Sequence, residues 1–181
     1  MAEDIVYTFE TKTGLSVRVR PLRADDVPLL VDLFEHLGPE SRFQRFNRAL
    51  DAPSVEEVWD EAQHIARIEP SQGEGWLAFA DLPGERDAIV AGVRYVRIPP
   101  NAAEAAIVVR DDIQKQGVGR HLLQLLIREV HARGIKKLTA LVRQDNPALS
   151  HLLPQFPYPV KRLPQGQFVY LELGLDSKDE G

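Results

Sequence analysis

The fold is decided by residues 105–120, AAIVVRDDIQKQGVGR, which run directly into LLQLLIREV at residues 122–130. The apolar, β-branched beginning of this stretch predicts a strand, and the two glycines that follow predict a turn. Apolar residues then recur every four positions from Val118 to Val130, which places them on one buried face of a helix. The stretch therefore predicts a strand, a glycine turn and a helix in that order.

The entrance of this helix suits a bound anion. The first backbone N–H groups of a helix have no intrahelical partner, and the macrodipole adds partial positive charge there. Gly117 and Gly119 carry no Cβ, so the turn can adopt unusual backbone angles and a ligand can approach the main chain. Leu122 stands where a dinucleotide fingerprint needs its third glycine, and no Gly-Lys-Ser/Thr follows, so both of those phosphate motifs are excluded. The alternative is an ordinary strand-to-helix turn tightened by glycine.

Length and composition favour one ordinary globular domain. The chain has 181 residues, of which 44% are hydrophobic and 27% are charged. It has no cysteine, which excludes disulfides and cysteine-based zinc sites and fits a reducing cytoplasm. The net charge of −5 argues against a general nucleic-acid binder, and neither a secretory signal nor a membrane span is evident. We expect a cytoplasmic protein without nucleic-acid or membrane partners.

The remaining patterns give an alternating order of strands and helices. They predict a strand at 15–20 and a helix that begins at Asp26 and stops near Gly38-Pro39. Two short helices follow within 41–50 and 54–68, the second capped by Ser54. The later elements are a hairpin of 76–82 with 88–98, the strand and helix described above, a strand at 137–142, a short helix from Asn146 and a last strand at 168–173. One helix links the strand at Ile107 to the strand at 137–142, so these two strands should be parallel. Residues 154–164 have an irregular pattern.

The motif Gln114-Lys115-Gln116-Gly117-Val118-Gly119, in this order of elements, resembles the GNAT superfamily of acyl-CoA-dependent N-acetyltransferases. Residues 19–22 are similar to the opening strand of that family. Residues 37–46 and the pair Ala103-Glu104 are similar to GNAT domains of bacterial protein-lysine acetyltransferases. The resemblance implies an α+β fold with a mixed, mostly antiparallel central sheet, a splayed parallel strand pair and flanking helices. It implies an N-terminal extension or strand at 1–14, a GNAT-like domain at 15–174 and a polar tail at 175–181.

The resemblance also implies an activity and a donor. The chain would transfer an acetyl group from acetyl-CoA to a primary amine of a small molecule or a protein lysine, by direct attack in a ternary complex and without a metal. In that family the glycine turn wraps the pyrophosphate of acetyl-CoA. The C-terminal sheet edge would allow a homodimer.

Roles carry over to matching positions. Glu104, which we expect to be partly buried, would be the general base, acting through water. The Ile107 backbone N–H would stabilise the oxyanion, and Val109 would pair with the pantetheine arm. The full set of acetyl-CoA-binding residues is Ile107, Val108, Val109, Gln114, Lys115, Gln116, Gly117, Val118, Gly119, Arg120 and Asn146. Two alternatives stay open: Glu104 as a solvated strand-edge carboxylate, and Asn146 as a simple helix cap.

The C-terminal part departs from the family pattern. Many members carry a tyrosine, which acts as the general acid, seven residues after the asparagine; here that position is Leu153. Pro157-Tyr158 replaces the usual Gly-Phe. These departures leave the general acid unassigned, and they motivate a second hypothesis, a catalytically weak acyl-CoA-binding regulatory domain.

Other polar residues allow two interpretations. Three arginines recur at intervals of three, namely Arg42, Arg45 and Arg48. They either bind an anion, which would be an acidic acceptor or the cofactor phosphates, or they form a solvated helix face. The five histidines show no metal-ligand spacing, and we expect His121 and His131 to lie on the outer surface of the long helix.

Overall fold

The structure is a computed structural model that describes residues 4–46 and 53–176, without the side chains of 43–46. Arg48, the side chain of Arg45 and the tail from residue 177 therefore lie outside the described residues. The strands are β1 Tyr7–Glu10, β2 Ser16–Pro21, β3 Gly73–Leu82, β4 Glu85–Ile98, β5 Ala102–Val109, β6 Lys137–Arg143, β7 Val160–Gln165 and β8 Phe168–Gly174. The helices are α1 Val27–Glu35, α2 Pro39–Phe46, α3 Val55–Ala66, α4 Val118–Ala132 and α5 Pro147–Leu152.

Within the described chain these strands form one sheet in the order β1-β2-β3-β4-β5-β6-β8-β7. Neighbouring strands are antiparallel except β5 and β6, which are parallel. The parallel pair is only three residues long and ends at Glu104, opposite Thr139. The expected mixed, mostly antiparallel sheet with a splayed parallel pair and flanking helices is therefore confirmed.

The two faces of the sheet bury different helices. The apolar face of α4, from Val118 to Val130, packs on residues such as Val93 and Tyr95 of β4. On the other face Leu33 of α1 packs against β3 and β4. Because side chains alternate along a strand, residues of β4 and β5 point in turn toward α4 and toward α1 and α3.

The N-termini of α3 and α1 are stabilised in different ways by the polar residue that precedes each helix. Ser54 forms the predicted cap of α3: its Oγ accepts from the Glu57 N–H at 3.2 Å, and the Glu57 carboxylate accepts from the Ser54 N–H at 2.8 Å. Asp26 precedes α1 but makes no side-chain cap. Its carboxylate instead accepts two 2.7 Å hydrogen bonds from Arg20, and this buried pair fixes the start of α1 on β2.

The structure corrects two expectations. Residues 160–165, expected to be irregular, form β7 at the edge of the sheet, where Pro164 is tolerated because one side of the strand needs no partner. His121 does not lie on the outer surface. Its ring stacks on Phe9 with centroids 4.1 Å apart, and its Nδ1 lies 2.9 Å from the Tyr7 hydroxyl, because β1 passes beside α4.

Candidate functional site

The pairing of β5 with β6 stops at Glu104, which leaves an opening between the two strands beyond that residue. Residues 105–109 continue to pair with β4, whereas residues 140–143 pair with β8. The opening therefore exposes the backbone edge of β5 along the residues assigned to catalysis and cofactor binding. It lies directly before the glycine turn, because β5 leads through a single 3₁₀ turn at Asp111–Ile113 into residues 114–117.

The hydrogen-bond phase of β5 decides which backbone groups face this opening. Arg110 donates its N–H to Val90 of β4 at 2.9 Å, so alternate residues of β5 before it, such as Val108, also bond to β4. Ile107 and Val109 therefore direct their N–H and C=O groups away from β4. The Val109 carbonyl confirms this direction, because it accepts from the Gln114 side chain at 3.1 Å. A ligand in the opening can thus pair with Ile107 and Val109 as a strand would.

The glycine turn forms the N-terminus of α4. Gly117 is its N-cap in the left-handed conformation with φ 94°, and the His121 N–H makes the bond to the Gly117 carbonyl. The N–H groups of Val118, Gly119 and Arg120 come before this bond, so they have no partner within the helix. These donors and the positive end of the helix dipole point to the anion site expected from the sequence.

Contacts with the N-terminal part of the chain and with β5 hold the turn. Gln114 donates through its amide to Ser41 of α2 at 3.1 Å as well as to β5. From the β1–β2 hairpin, the Lys12 N–H donates to the Gln116 carbonyl at 3.0 Å, and Thr13 Oγ1 donates to Gln116 Oε1 at 2.6 Å. No local pattern predicts this hairpin contact, because it joins residues more than 100 positions apart. Lys115 and Arg120 are exposed beside this turn, whereas the Val118 side chain is buried.

Gly119 faces open space at the position where a side chain would begin. A Cβ built at this position would meet no protein atom within 4 Å, so internal packing does not explain the glycine. A Cβ at Gly117 would come 3.9 Å from Lys12 Cε, which places that lysine side chain against the turn. The arrangement fits a phosphate group lying on the helix entrance, with a cation close by.

Glu104 lies at the mouth of the opening, on the last residue pair of β5 with β6. Its side chain is exposed, so the expected partial burial is wrong. Residue alternation puts it on the same face of the sheet as Ala106 and Val108, toward α1 and α3. An exposed carboxylate here can exchange protons with bulk water while standing three residues from Ile107.

Asn146 and Leu153 lie on the β6 side of the opening. Asn146 is buried, and its Oδ1 accepts from the Leu149 N–H at 3.2 Å, so it is the N-cap of α5. Leu153 is buried in the core, 8% exposed, and provides no proton donor where the family often has a tyrosine.

An apolar cavity lies between α1, α3 and the sheet; we call it the α1–α3 cavity. Its walls include the apolar residues Leu30, Phe34, Val58, Ile65, Leu77 and Val108, and Glu57 and Glu61 of α3 also line it. Arg94 of β4 also lines it, and burial lowers the pKa of this guanidinium while the charges of Glu61 and Glu104 raise it. Arg94 was not among the predicted site residues, although an arginine inside the apolar run 88–98 is a signal that a sequence can offer.

Arg42 lies close to this cavity but has partners. Its guanidinium stacks over the Phe34 ring at 4.4 Å, and it donates to the Phe34 carbonyl at 3.4 Å. Of the three arginines weighed together in the sequence, it is the one whose side chain is described.

Two further features are absent from the residues that the structure describes. None of the helices in this part of the chain combines the length and apolar character needed to cross a membrane. Across the same ranges, no three His, Cys, Asp or Glu side chains gather in a way that could hold a metal ion.

Comparisons with known proteins agree with this geometry. The profile of the Acetyltransferase (GNAT) family matches residues 33–156. The crystal structure of the GNAT domain of S. lividans PAT superposes with a TM-score of 0.76 at 28% identity, covering 93% of this chain and 96% of that domain. The resemblance inferred from the sequence is therefore confirmed.

Two other relatives are more distant or longer. Acetyltransferase Pat of Mycolicibacterium smegmatis is 25% identical over 146 residues, which cover 80% of this chain and 41% of that protein. The chain thus spans less than half the length of this curated relative. The ribosomal L7/L12 alpha-N-protein acetyltransferase RimL, solved in complex with coenzyme A, shares the fold with a TM-score of 0.71 at 18% identity, covering 94% of this chain and 97% of that chain.

Proposed function

Because this chain belongs to the Acetyltransferase (GNAT) family, we propose that it transfers the acetyl group of acetyl-CoA to a primary amine of a small molecule or a protein lysine. The observation that carries this proposal is the opening between β5 and β6, toward which the backbone groups of Ile107 and Val109 are directed, directly before the glycine turn. A strand edge followed by a helix N-terminus matches a cosubstrate with an amide-rich arm and a pyrophosphate.

Each part of the site would hold a different part of acetyl-CoA. The N–H groups of residues 118–120 and the open space at Gly119 would hold the pyrophosphate. The N–H and C=O groups of Val109 would pair with the amides of the pantetheine arm. Gln114 keeps the turn in place between β5 and α2. Asn146 would act by holding α5 at the other side of the opening.

The chain's own groups would then assist the transfer. Acetyl-CoA supplies an acetyl group activated as a thioester. The amine nitrogen forms the new bond to the carbonyl carbon, and the Ile107 N–H donates to the carbonyl oxygen as it gains negative charge. Glu104 takes the proton that the amine loses, through water, since its side chain is exposed. The C–S bond breaks, and the thiolate takes a proton from solvent, because buried Leu153 cannot donate one.

The proposal is tested with Glu104→Gln. We expect kcat to fall by about 100-fold or more near neutral pH, because a general base typically contributes at least that factor. Acetyl-CoA affinity, measured by calorimetry, should stay unchanged. The difference in kcat between wild type and Glu104→Gln should shrink as the pH approaches the amine pKa of about 10.4, where the amine needs no base. Free thiol release with a panel of amines measures the rate.

Glu69→Gln is the matched control, since Glu69 is an exposed glutamate outside the site, and it should leave the rate unchanged. Equal rates of wild type and Glu104→Gln across the pH range would remove Glu104 from the mechanism.

A second candidate function rests on Leu153. A buried leucine where the family often has its acid catalyst favours a catalytically weak acyl-CoA-binding regulatory domain. That function predicts that acetyl-CoA binds while the whole amine panel gives no thiol release. Turnover with any amine in the panel decides for the enzyme.

A further inference from the structure

Arg94 brings a cation into the α1–α3 cavity, where the charges of Glu61 and Glu104 act on it but no described residue forms a direct ion pair with it. It lies on β4 opposite Ala106, so its Cα is next to the strand segment that carries Ile107. Its Nε is buried without a hydrogen-bond partner. Among the residues that the structure describes, no carboxylate oxygen lies within 4.0 Å of its guanidinium. By contrast, the buried Arg20 is paired with Asp26 by two short hydrogen bonds.

An unpaired guanidinium in an apolar cavity costs stability. Burying a charge is unfavourable unless an opposite charge or hydrogen bonds compensate for the lost water. An apolar side chain would fill the same place at a lower cost. The guanidinium fork also matches a carboxylate in two parallel hydrogen bonds. The cavity is therefore better suited to a ligand that brings a carboxylate than to an empty state.

The surroundings of Arg94 define the rest of that ligand. Glu104 is its diagonal neighbour on β4 and β5, about 7–8 Å away between Cα atoms, on the same face of the sheet. A ligand between them would place an amine toward Glu104 and Ile107 and a carboxylate toward Arg94. Leu30, Phe34, Val58 and Ile65 would surround its remaining part with apolar side chains.

We propose that the amine acceptor is an amino acid with an apolar side chain, whose carboxylate binds Arg94 in the α1–α3 cavity. This inference rests on the proposed acetyl transfer and adds the class of acceptor. Arg94 is then a specificity-determining residue, and its charge selects acceptors that carry a carboxylate beside the amine.

The test compares leucine with leucinamide, which has the same shape but no carboxylate. Wild type should prefer leucine, and Arg94→Met should reduce the ratio of the two kcat/KM values by about 10-fold or more, because a hydrogen-bonded charge pair is lost. Arg94→Lys keeps the charge without the guanidinium fork, so its kcat/KM ratio should lie between those of wild type and Arg94→Met. Comparing this ratio between wild type and each variant cancels the difference in amine reactivity, because that difference is the same for every protein.

Arg97→Met is the matched control. Arg97 lies on the same strand opposite Ala103, which packs against α4, so its side chain belongs to the other face. This variant should keep the wild-type ratio. Arg94→Met should unfold at the same or a higher urea concentration than wild type, because an apolar side chain replaces an unpaired buried charge. A loss of preference then cannot come from misfolding.

Binding gives a readout without turnover. Trp76 lines the cavity and Trp59 is 38% exposed, so a Trp59→Phe background leaves Trp76 as the reporter. N-acetylleucine, the expected product, should change Trp76 fluorescence in this background and lose that effect when Arg94→Met is added. Equal binding by both proteins, or a kcat/KM ratio unchanged in Arg94→Met, overturns the proposal for Arg94. Absence of acetyl-CoA binding by calorimetry would instead reject the proposed transfer, and the fluorescence titration would still decide about Arg94.

Discussion

Gly117 and Gly119 lie two residues apart in one turn, but only Gly117 has a backbone conformation that favours glycine. Gly117 has φ 94°, a conformation that costs an L-residue about 1–2 kcal/mol. Gly119 is in the first turn of α4, and its missing side chain faces empty space. Backbone conformation therefore explains Gly117, and we propose that Gly119 leaves room for the pyrophosphate of acetyl-CoA.

Alanine at each position should separate these two roles. Gly119→Ala should keep or raise the free energy of unfolding in urea, since alanine is favoured over glycine in a helix by about 1 kcal/mol. Its Cβ would enter the space for the pyrophosphate, so the Kd for acetyl-CoA should rise by about 10-fold or more, a difference of about 1.4 kcal/mol. Gly117→Ala should be destabilised by about 1–2 kcal/mol. Unchanged affinity in Gly119→Ala, measured by calorimetry, would place the phosphate elsewhere.

At the scale of elements, the β1–β2 hairpin braces the glycine turn. Its backbone and Thr13 bond to Gln116, and the Lys12 side chain runs along Gly117. A cation placed there adds to the positive end of the α4 dipole. The hairpin thus brings charge from the N-terminal part of the chain to a site formed in its second half.

Lys12→Met tests the contribution of that charge. We expect acetyl-CoA to bind about 2–5-fold more weakly, because an exposed charge pair contributes up to about 1 kcal/mol. The difference from wild type should vanish at high ionic strength, where exposed charges are screened. Lys161→Met, which removes an exposed lysine from β7, is the control and should bind acetyl-CoA as wild type does. A salt-independent effect of Lys12→Met would indicate a structural role.

At the scale of the whole molecule, His121 links folding stability to pH. Burial and the charge of Arg120 lower the pKa of His121 below 6.5 in the folded state. The unfolded chain therefore binds more protons as the pH falls through 6.5, so acidification reduces the stability of the fold. The ring contacts Tyr7 and Phe9, which ties this effect to the packing of β1 on α4.

Replacing His121 should flatten the pH dependence. Wild type should lose free energy of unfolding between pH 7.5 and pH 5.5, and His121→Gln should lose less over that interval. Urea unfolding at both pH values gives the comparison. His131→Gln changes an exposed histidine of the same helix and should keep the wild-type slope. A slope in His121→Gln as steep as in wild type would assign the pH dependence to other groups.

Local patterns predicted much of this molecule, and long-range contacts account for the rest. The strand, turn and helix around residues 105–130 follow from periodicity and two glycines, so they were predicted correctly. β7 was missed because Pro164 and the charged residues Lys161 and Arg162 are unlike a central strand. Only the position of β7 at the edge of the sheet permits them. The burial of His121 and the exposure of Glu104 depend on packing between distant segments. The cavity around Arg94 also needs three elements that no local pattern joins.

The three-residue pairing of β5 with β6 also bears on how the chain folds. β3, β4 and β5 follow one another in the sheet as they do in the sequence, with no helix between them, so their contacts are comparatively local. The parallel contact needs α4 to cross between the strands first, and such closure is intrinsically slow. We therefore expect the antiparallel meander of β3, β4 and β5 to form early and the parallel contact with β6 to form after it. The opening between β5 and β6 would then take shape later than the meander, so recovery of ligand binding should lag behind recovery of secondary structure during refolding.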